Sequence, residues 1–333
     1  MRAWRVHELG EPVDVLTLEE VDPPVPGPGE VRIDVAAASL NFPDVLMCRG
    51  EYQVKPPLPF TPGAEVAGTV TALGEGVASV REGQRVLAIP RFEAGGLAEQ
   101  TVASEATVYP IPDTLSWPAA AALHITYQTG HLALHRRAAL RQGETLLVHA
   151  GAGGVGSAAI QLGLAMGARV FATAGGPEKV RTCRDLGAEL AVDYSASDFV
   201  DAVKEATGGR GADVIYDPVG GDTFDRSRKC VAFEGRILVI GFTSGRIADA
   251  PTNHALIKNY AVVGVHWGLY NLMNPQLVRD THDELMRLHA VGEIDPLVSQ
   301  VLPLEAAAEG LGRLATRGTR GKVVCAIDGA ARA

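Results

Sequence analysis

A chain of 333 residues with 47% apolar and 21% charged residues, 38 glycines and 20 prolines is too long for one ordinary hydrophobic core, and it is neither fibrous nor disordered in composition. Its 39 acidic and 30 basic residues leave a charge of −9, and no Lys/Arg block is long enough to grip a polyanion, which argues against nucleic acid as a partner. Cys48, Cys183, Cys230 and Cys325 lie far apart, and the start MRAWRVHELG is charged where a signal peptide needs an apolar run, so a reducing, cytoplasmic location without a membrane is expected.

The first third reads as short strands broken by turns: VRIDVAAASL, EVAGTVTALG, QRVLAIP and EQTVASEATVYPIP. VDPPVPGPGE cannot be helical and reads as a stiff connector before the first long strand. After Trp117 strands and helices alternate, the pattern of a parallel sheet covered on both faces, with a boundary near residue 118. TLLVHA, RVFATA, ELAVDY, ADVIYDPV and RILVIG are its predicted strands, with AVVGVHWG (261–268) as a sixth; the intervening stretches read as helices. From about residue 275 a helical stretch, DELMRLHAVG, leads to the strand-like KVVCAI, for which pairing with the first lobe is the economical expectation. The predicted domains are thus 1–117, completed by about 275–333, and 118–274.

Between TLLVHA and the following helix stands Gly151-Ala152-Gly153-Gly154-Val155-Gly156, a G-x-G-x-x-G in the strand–turn–helix setting that dinucleotide binding requires. The glycines let the backbone approach a pyrophosphate, and the helix N-terminus offers N–H groups to its charge. The next strand ends in Ala174-Gly175-Gly176-Pro177-Glu178-Lys179, with no acid at its tip to hold a ribose diol and with Lys179 in the first helical turn, which favours NADPH over NADH. Glu178 has a sufficient local role at the helix dipole. Metal-ligand spacings are missing: the cysteines are scattered, and His131 and His135 in HLALH lack both an intervening Glu and a third ligand.

Four stretches carry a resemblance that covers nearly the whole chain: SLNFPDVLMCRGEYQVKPPLPFTPGAEVAG (39–68), HAGAGGVGSAAIQLGLAMGARV (149–170), GADVIYDPVGGDTFDRS (211–227) and RGKVVCAI (320–327). The chain resembles the zinc-independent quinone oxidoreductase branch of the medium-chain dehydrogenase/reductases. That resemblance implies an α/β fold in which a Rossmann doubly wound parallel sheet is joined to a GroES-like β-barrel lobe, with the active site in the cleft between them. Where zinc alcohol dehydrogenases of the superfamily carry a ligand cysteine and histidine, this chain has Asn41 and Ala64. Carried over, the cofactor positions are Gly153, Gly154 and Val155 at the pyrophosphate, Lys179 and Tyr194 toward the adenosine phosphate, and Thr129 and Phe242 near the nicotinamide. The substrate-side residues are Asn41, Asp44 and Tyr52; Leu46 departs from members with a tyrosine at that position.

From the residues alone, Tyr52 reads as a loop tyrosine, Asp44 as a helix cap, Asn41 as a turn residue and Asp217 as a strand-end cap. Trp267 and Tyr270 suit a substrate pocket, core or dimer contact equally. The expected activity is NADPH-dependent hydride transfer to a quinone or α,β-unsaturated carbonyl without metal. The alternatives are a short-chain enoyl-CoA (acrylyl-CoA) reductase and an NADPH-binding redox sensor with little turnover. A homodimer through the 261–268 edge strand is expected from the same resemblance.

Overall fold

In the computed structural model, which describes residues 1–327, the β-rich first third forms the predicted short strands. β1 (Arg2–Val6) and β2 (Leu16–Glu20) make an antiparallel ribbon joined through the one-turn helix α1 (Pro12–Val15). β3 (Glu30–Ser39) pairs with β4 (Val66–Leu73) and with β6 (Gln100–Ser104), while β5 (Arg85–Ala88) bridges β4 and β7 (Val108–Pro110). Alternation sets which side chains go inside: Val31, Ile33 and Val35 of β3 are buried with Val66, Val70 and Val86. Each such side chain contributes about 1.5–3 kcal/mol. α2 (Phe42–Arg49) starts just beyond β3 and ends at Gly50, whose φ of 71° is the left-handed conformation of a helix terminus.

α3 (Trp117–His131) runs into a π-helical turn, Leu132–Arg137, in which Ala138 N donates to Ala133 O at 2.8 Å. Six parallel strands follow: β8 (Thr145–Val148), β9 (Arg169–Ala174), β10 (Leu190–Asp193), β11 (Ala212–Asp217), β12 (Val231–Val239) and β13 (Ala261–Gly264). Their order, β10-β9-β8-β11-β12-β13, reverses direction between β8 and β11. In open parallel sheets ligands bind at the C-terminal ends of the strands beside such a switch point. The helices are α4 (Gly154–Ala165), α5 (Pro177–Asp185), α6 (Phe199–Ala206), α7 (Gly221–Ser227), α8 (Thr252–Lys258), α9 (Tyr270–Met273) and α10 (Pro275–Ala290). β14 (Val298–Pro303), α11 (Ala307–Ala315) and β15 (Lys322–Ala326) complete the chain's elements, and β15 pairs antiparallel with β3, Val324 opposite Ser39. The closing strand thus joins the first lobe. Among the described residues no helix is long and apolar enough to cross a membrane.

The chain divides into two units, Met1–Ile125 with the segment from Pro296 onward, and Thr126–Asp295. The division differs from the expected 118 and 275 for local reasons. The first half of α3 belongs with the β lobe: Arg85 stacks on Trp117 at 3.6 Å, and Glu65 accepts from Ile125 N at 2.8 Å. α10 belongs with the parallel sheet, because Gln128 donates to Val278 O at 2.8 Å, and the Gln161 amide both donates to and accepts from the Asp295 backbone, at 2.8 and 2.6 Å. The predicted strand over 261–268 is also shorter, ending at Gly264. Its neighbour β12 stops at Val239, opposite Gly264, and without a ladder Trp267–Leu269 turns into a 3-10 helix.

Close approach of β3 and β4 places Asn41 just after the end of one strand and Glu65 just before the start of the other. Gly68 permits that approach: an added Cβ would lie 2.1 Å from Asp34 O and 2.8 Å from Ile33 Cγ2. Gly68→Ala is therefore expected to cost on the order of 1–3 kcal/mol, read as a lower urea midpoint; an unchanged midpoint would show that the strands separate freely.

Candidate active site

The dinucleotide motif of the second unit is built from backbone. β8 ends at Val148, Ala150 turns at φ 50°, and Gly151 N donates to Thr173 O at 2.9 Å on β9. The glycines then do three different things. A Cβ on Gly151 would meet Ala172 Cβ and Cys183 Sγ, both at 2.9 Å, so this position needs space inside the fold. A Cβ on Gly156 would lie 2.2 Å from Ala150 O, so helix and turn pack through it. At Gly153 the nearest atom is Ala150 O at 3.3 Å, the only neighbour within 4 Å, so a side chain there needs a small shift of the turn and otherwise stands at the mouth of α4. Gly153 has no side chain to cap that helix, so the first-turn amides of Gly154, Val155 and Gly156 are left without a capping side chain at the positive end of the dipole. A cradle that only a missing Cβ leaves open, at a switch point, fits a dinucleotide pyrophosphate.

The adjacent turn is also open. Gly176 has φ 86° and nothing within reach of an added Cβ, whereas a Cβ on Gly175 would lie 2.6 Å from the Tyr194 hydroxyl. Tyr194 is half exposed beside that turn, and Lys179 sits on the first turn of α5. The acid nearest to this turn is one that sequence reading missed: Asp193 accepts from Gly176 N at 3.0 Å, Ser195 N at 3.0 Å and Ser195 Oγ at 2.6 Å. Hydrogen bonds from the Ser195 side chain, then the Gly176 and Ser195 amides, hold its carboxyl below the usual range. Its Oδ1 is thus spent fastening the turn.

Thr129 lies buried on α3, and Phe242 is 43% exposed, its ring 3.1 Å from where a Gly220 Cβ would stand. Asp217 accepts from Val219 N at 2.8 Å and Gly220 N at 2.9 Å, the strand-end cap that its position suggests. His149, also missed, bridges Thr173 Oγ1 at 2.9 Å and Ser227 Oγ at 2.8 Å; burial pushes it down to about 4, so it is a neutral strut. His131 and His135 stack at 5.1 Å, and among the described residues no group of three His, Cys, Asp or Glu is placed to hold a metal ion.

In the first unit the structure brings Asn41 and Asp44 together and adds Glu65 and Lys322. Asn41 is the N-cap of α2, with φ −124° and ψ 150°. The Asp44 carboxylate accepts from Asn41 N at 2.8 Å and from Gly63 N and Ala64 N, both at 3.1 Å. Burial pushes Asp44 up to about 6, against the opposing pull of these three amides and of Lys322. Beside it, Lys322 donates to Asn41 Oδ1 at 2.6 Å and to Glu65 Oε2 at 3.3 Å, and Asn41 Nδ2 donates to Ser39 O and Glu65 Oε2 at 3.2 and 3.3 Å. Glu65 is fully buried. The signal for this pair was a lysine at the head of an apolar strand, KVVCAI, which demands a buried counter-charge. Tyr52 is half-buried against the same core, and burial, with the Asp44 charge, raises its hydroxyl above the ordinary value, so it stays protonated.

Residues 27–113 match the family described as alcohol dehydrogenase GroES-like domain, and residues 154–283 the one described as zinc-binding dehydrogenase. Quinone oxidoreductase-like protein 2 of Mus musculus is 39% identical over 327 residues, spanning 98% of this chain and 92% of that protein. Escherichia coli quinone oxidoreductase complexed with NADPH superposes with a TM-score of 0.91 at 29% identity, covering 98% of this chain and all of the other. A mycobacterial protein complexed with NADPH gives 0.91 at 31% identity, again covering 98% and 100%. With both lobes, the sheet order and the glycine cradle in place, the chain belongs to the quinone oxidoreductase branch of the medium-chain dehydrogenase/reductase superfamily.

Proposed function

We propose that this protein is an NADPH-dependent reductase of quinones or α,β-unsaturated carbonyls that works without zinc. The observation that carries the reading is the open cradle at Gly153 at the switch point of the parallel sheet. Gly154, Val155 and Gly156 would bind the pyrophosphate, Lys179, Tyr194 and the Gly175 turn the adenosine phosphate, and Thr129 and Phe242 the nicotinamide. When bound, NADPH supplies a hydride. Tyr52, kept protonated by burial, donates to the substrate oxygen on which charge develops, and water or Tyr52 supplies the final proton. Asp44 holds the backbone around Asn41; all its hydrogen bonds are structural, which fits positioning and not general-base work.

Support for zinc independence comes from a charge: the Lys322 ammonium lies within hydrogen-bond reach of both Asn41 Oδ1 and Glu65 Oε2, and a second cation there would be repelled. An enoyl-CoA reductase reading would need a basic track for the nucleotide. Of the basic residues Arg49, Lys55 and Arg91 that the sequence offers for it, two are spent, because Arg49 forms a two-pronged pair with Glu11 at 2.8 Å and Arg91 pairs with Glu30. Only Lys55 is left, so the quinone or enone reading is preferred. The four free cysteines are all buried thiols, which suits the cytoplasm. The chain pairs with a second copy through β13: Val262 on this edge strand is exposed, and Leu256, Ile257, Leu272 and Met273 in the same unit are each more than three-quarters exposed.

Turnover of a quinone and enone panel with NADPH, unaffected by chelator and weaker with NADH and with a short enoyl-CoA, is the expected result. Binding of NADPH without turnover would favour the redox-sensor reading, and loss of activity with chelator would overturn the zinc-free one. Gly153→Val is expected to abolish NADPH binding, read by fluorescence titration, with little loss of stability. Gly156→Val should lose both, because its side chain meets backbone; equal stability losses would argue against the cradle. Sedimentation should show a dimer that Val262→Lys dissociates, whereas a monomeric wild type at micromolar concentration would remove the proposed interface.

A further inference from the structure

Lys322 begins an apolar strand, yet its side chain is only 5% exposed and its partner Glu65 is fully buried. Charges removed from water persist only where geometry compensates them. Here they clamp a third group: the Asn41 amide stands with its oxygen on the ammonium at 2.6 Å and its nitrogen on the carboxylate at 3.3 Å. Turned over, the amide would set its NH2 against the ammonium and its oxygen against the carboxylate, so the two charges enforce one orientation.

The contacts on the two sides of the amide differ in strength. The Oδ1 contact is short and charge-assisted, whereas the Nδ2 contacts to Ser39 O and Glu65 Oε2, at 3.2 and 3.3 Å, lie at the long end of the N–H···O range and just beyond it. A cation on the amide oxygen draws electron density from the nitrogen and strengthens its N–H groups as donors. An oxygen gaining negative charge would be a better acceptor for such a donor than a neutral carbonyl.

We propose that Lys322 is a positioning residue of the reduction, orienting and polarising the Asn41 amide so that Nδ2 exchanges its long contact to Ser39 O for the substrate oxygen as that oxygen becomes negative. The inference rests on the reductase reading. Hydride adds to the electron-poor carbon, the displaced π pair moves to oxygen, and that oxygen takes a proton from Tyr52 or water; Lys322 keeps its own protons throughout.

The test compares Lys322→Met, Asn41→Ala and the double variant on a quinone that the wild type reduces. kcat of Lys322→Met should fall on the order of 10- to 100-fold with NADPH affinity unchanged, and the double variant should be no worse than Asn41→Ala alone. Losses that multiply, or an unchanged kcat, overturn the proposal. Because Lys322→Met strands a buried carboxylate and can unfold the chain, the neutral pair Glu65→Gln/Lys322→Met is measured beside it. A merely structural lysine predicts that stability and kcat recover together in that pair, whereas the positioning role predicts recovered stability and a kcat that stays low. If the wild type reduces no quinone or enone, it is the reductase reading that fails. Hydrogen exchange of the Asn41 side-chain amide in 15N-labelled protein then decides alone: slow in wild type and fast in the neutral pair supports the clamp, and equal rates overturn it.

Discussion

Burial of Glu65 is the constraint on which the first unit turns. A carboxylate with no exposure must find donors, and it takes the Ile125 amide, the Asn41 Nδ2 and the Lys322 ammonium, which reach it from three separate stretches of chain. Lys322 is 257 positions away in sequence, so satisfying one side chain favours the return of β15 to the side of β3. The apolar residues of β15 give that return its energy, since burial is non-directional and strong. The ion pair adds register, because a slip of one residue would turn the ammonium to the opposite face and leave Glu65 without its counter-charge.

In the second unit the corresponding constraint is absence of side chains. The three glycines that define the motif look equivalent, yet the fold needs each for a separate reason: space against Ala172 and Cys183 at Gly151, contact with the turn at Gly156, and an opening at Gly153. Two of the three are explained by packing alone. Gly153 is the one whose lack of a side chain serves no internal contact, and it sits where α4 presents its uncapped amides. A function can be argued from it because packing does not account for it.

Most of the architecture was legible because period and punctuation are local. The strands around the glycine motif, the helices between them and the closing strand all follow from runs of residues that the sequence displays contiguously. The errors fell where a distant partner decides. AVVGVHWG has the composition of a longer strand, but its ladder ends where β12 ends; α10 follows the parallel sheet because Gln128 and Gln161 reach its backbone. Asn41 and Asp44 were visible as candidates from resemblance, but their local reading was shifted: Asn41, expected as a turn residue, is the N-cap, and Asp44, expected as the cap, stands at the third helical position and accepts from the Asn41 amide. Glu65 and His149 were overlooked because the signal for each is burial combined with a partner far along the chain, and Asp193 because its tie to the Gly176 amide crosses from one strand end to the next.

The acids of the two units, each taken within its own unit, share a property that bears on mechanism. Asp193 fastens the Gly176 turn, Asp217 caps β11, Asp44 caps α2 and the Gly63–Ala64 turn, and Glu65 is held by an amide, a carboxamide and an ammonium. Asp44 and Glu65 accept through both carboxylate oxygens from backbone or buried donors, so using either as a base would forfeit hydrogen bonds that hold the first unit together. The groups that remain for a substrate in the first unit are neutral donors: the Tyr52 hydroxyl, whose titration burial raises further, and, in the role proposed for Lys322, the Asn41 amide. A site rich in donors and poor in available bases stabilises charge that appears on oxygen and does little to pull a proton from an alcohol. That asymmetry favours reduction of an electron-poor carbonyl compound over oxidation of an alcohol.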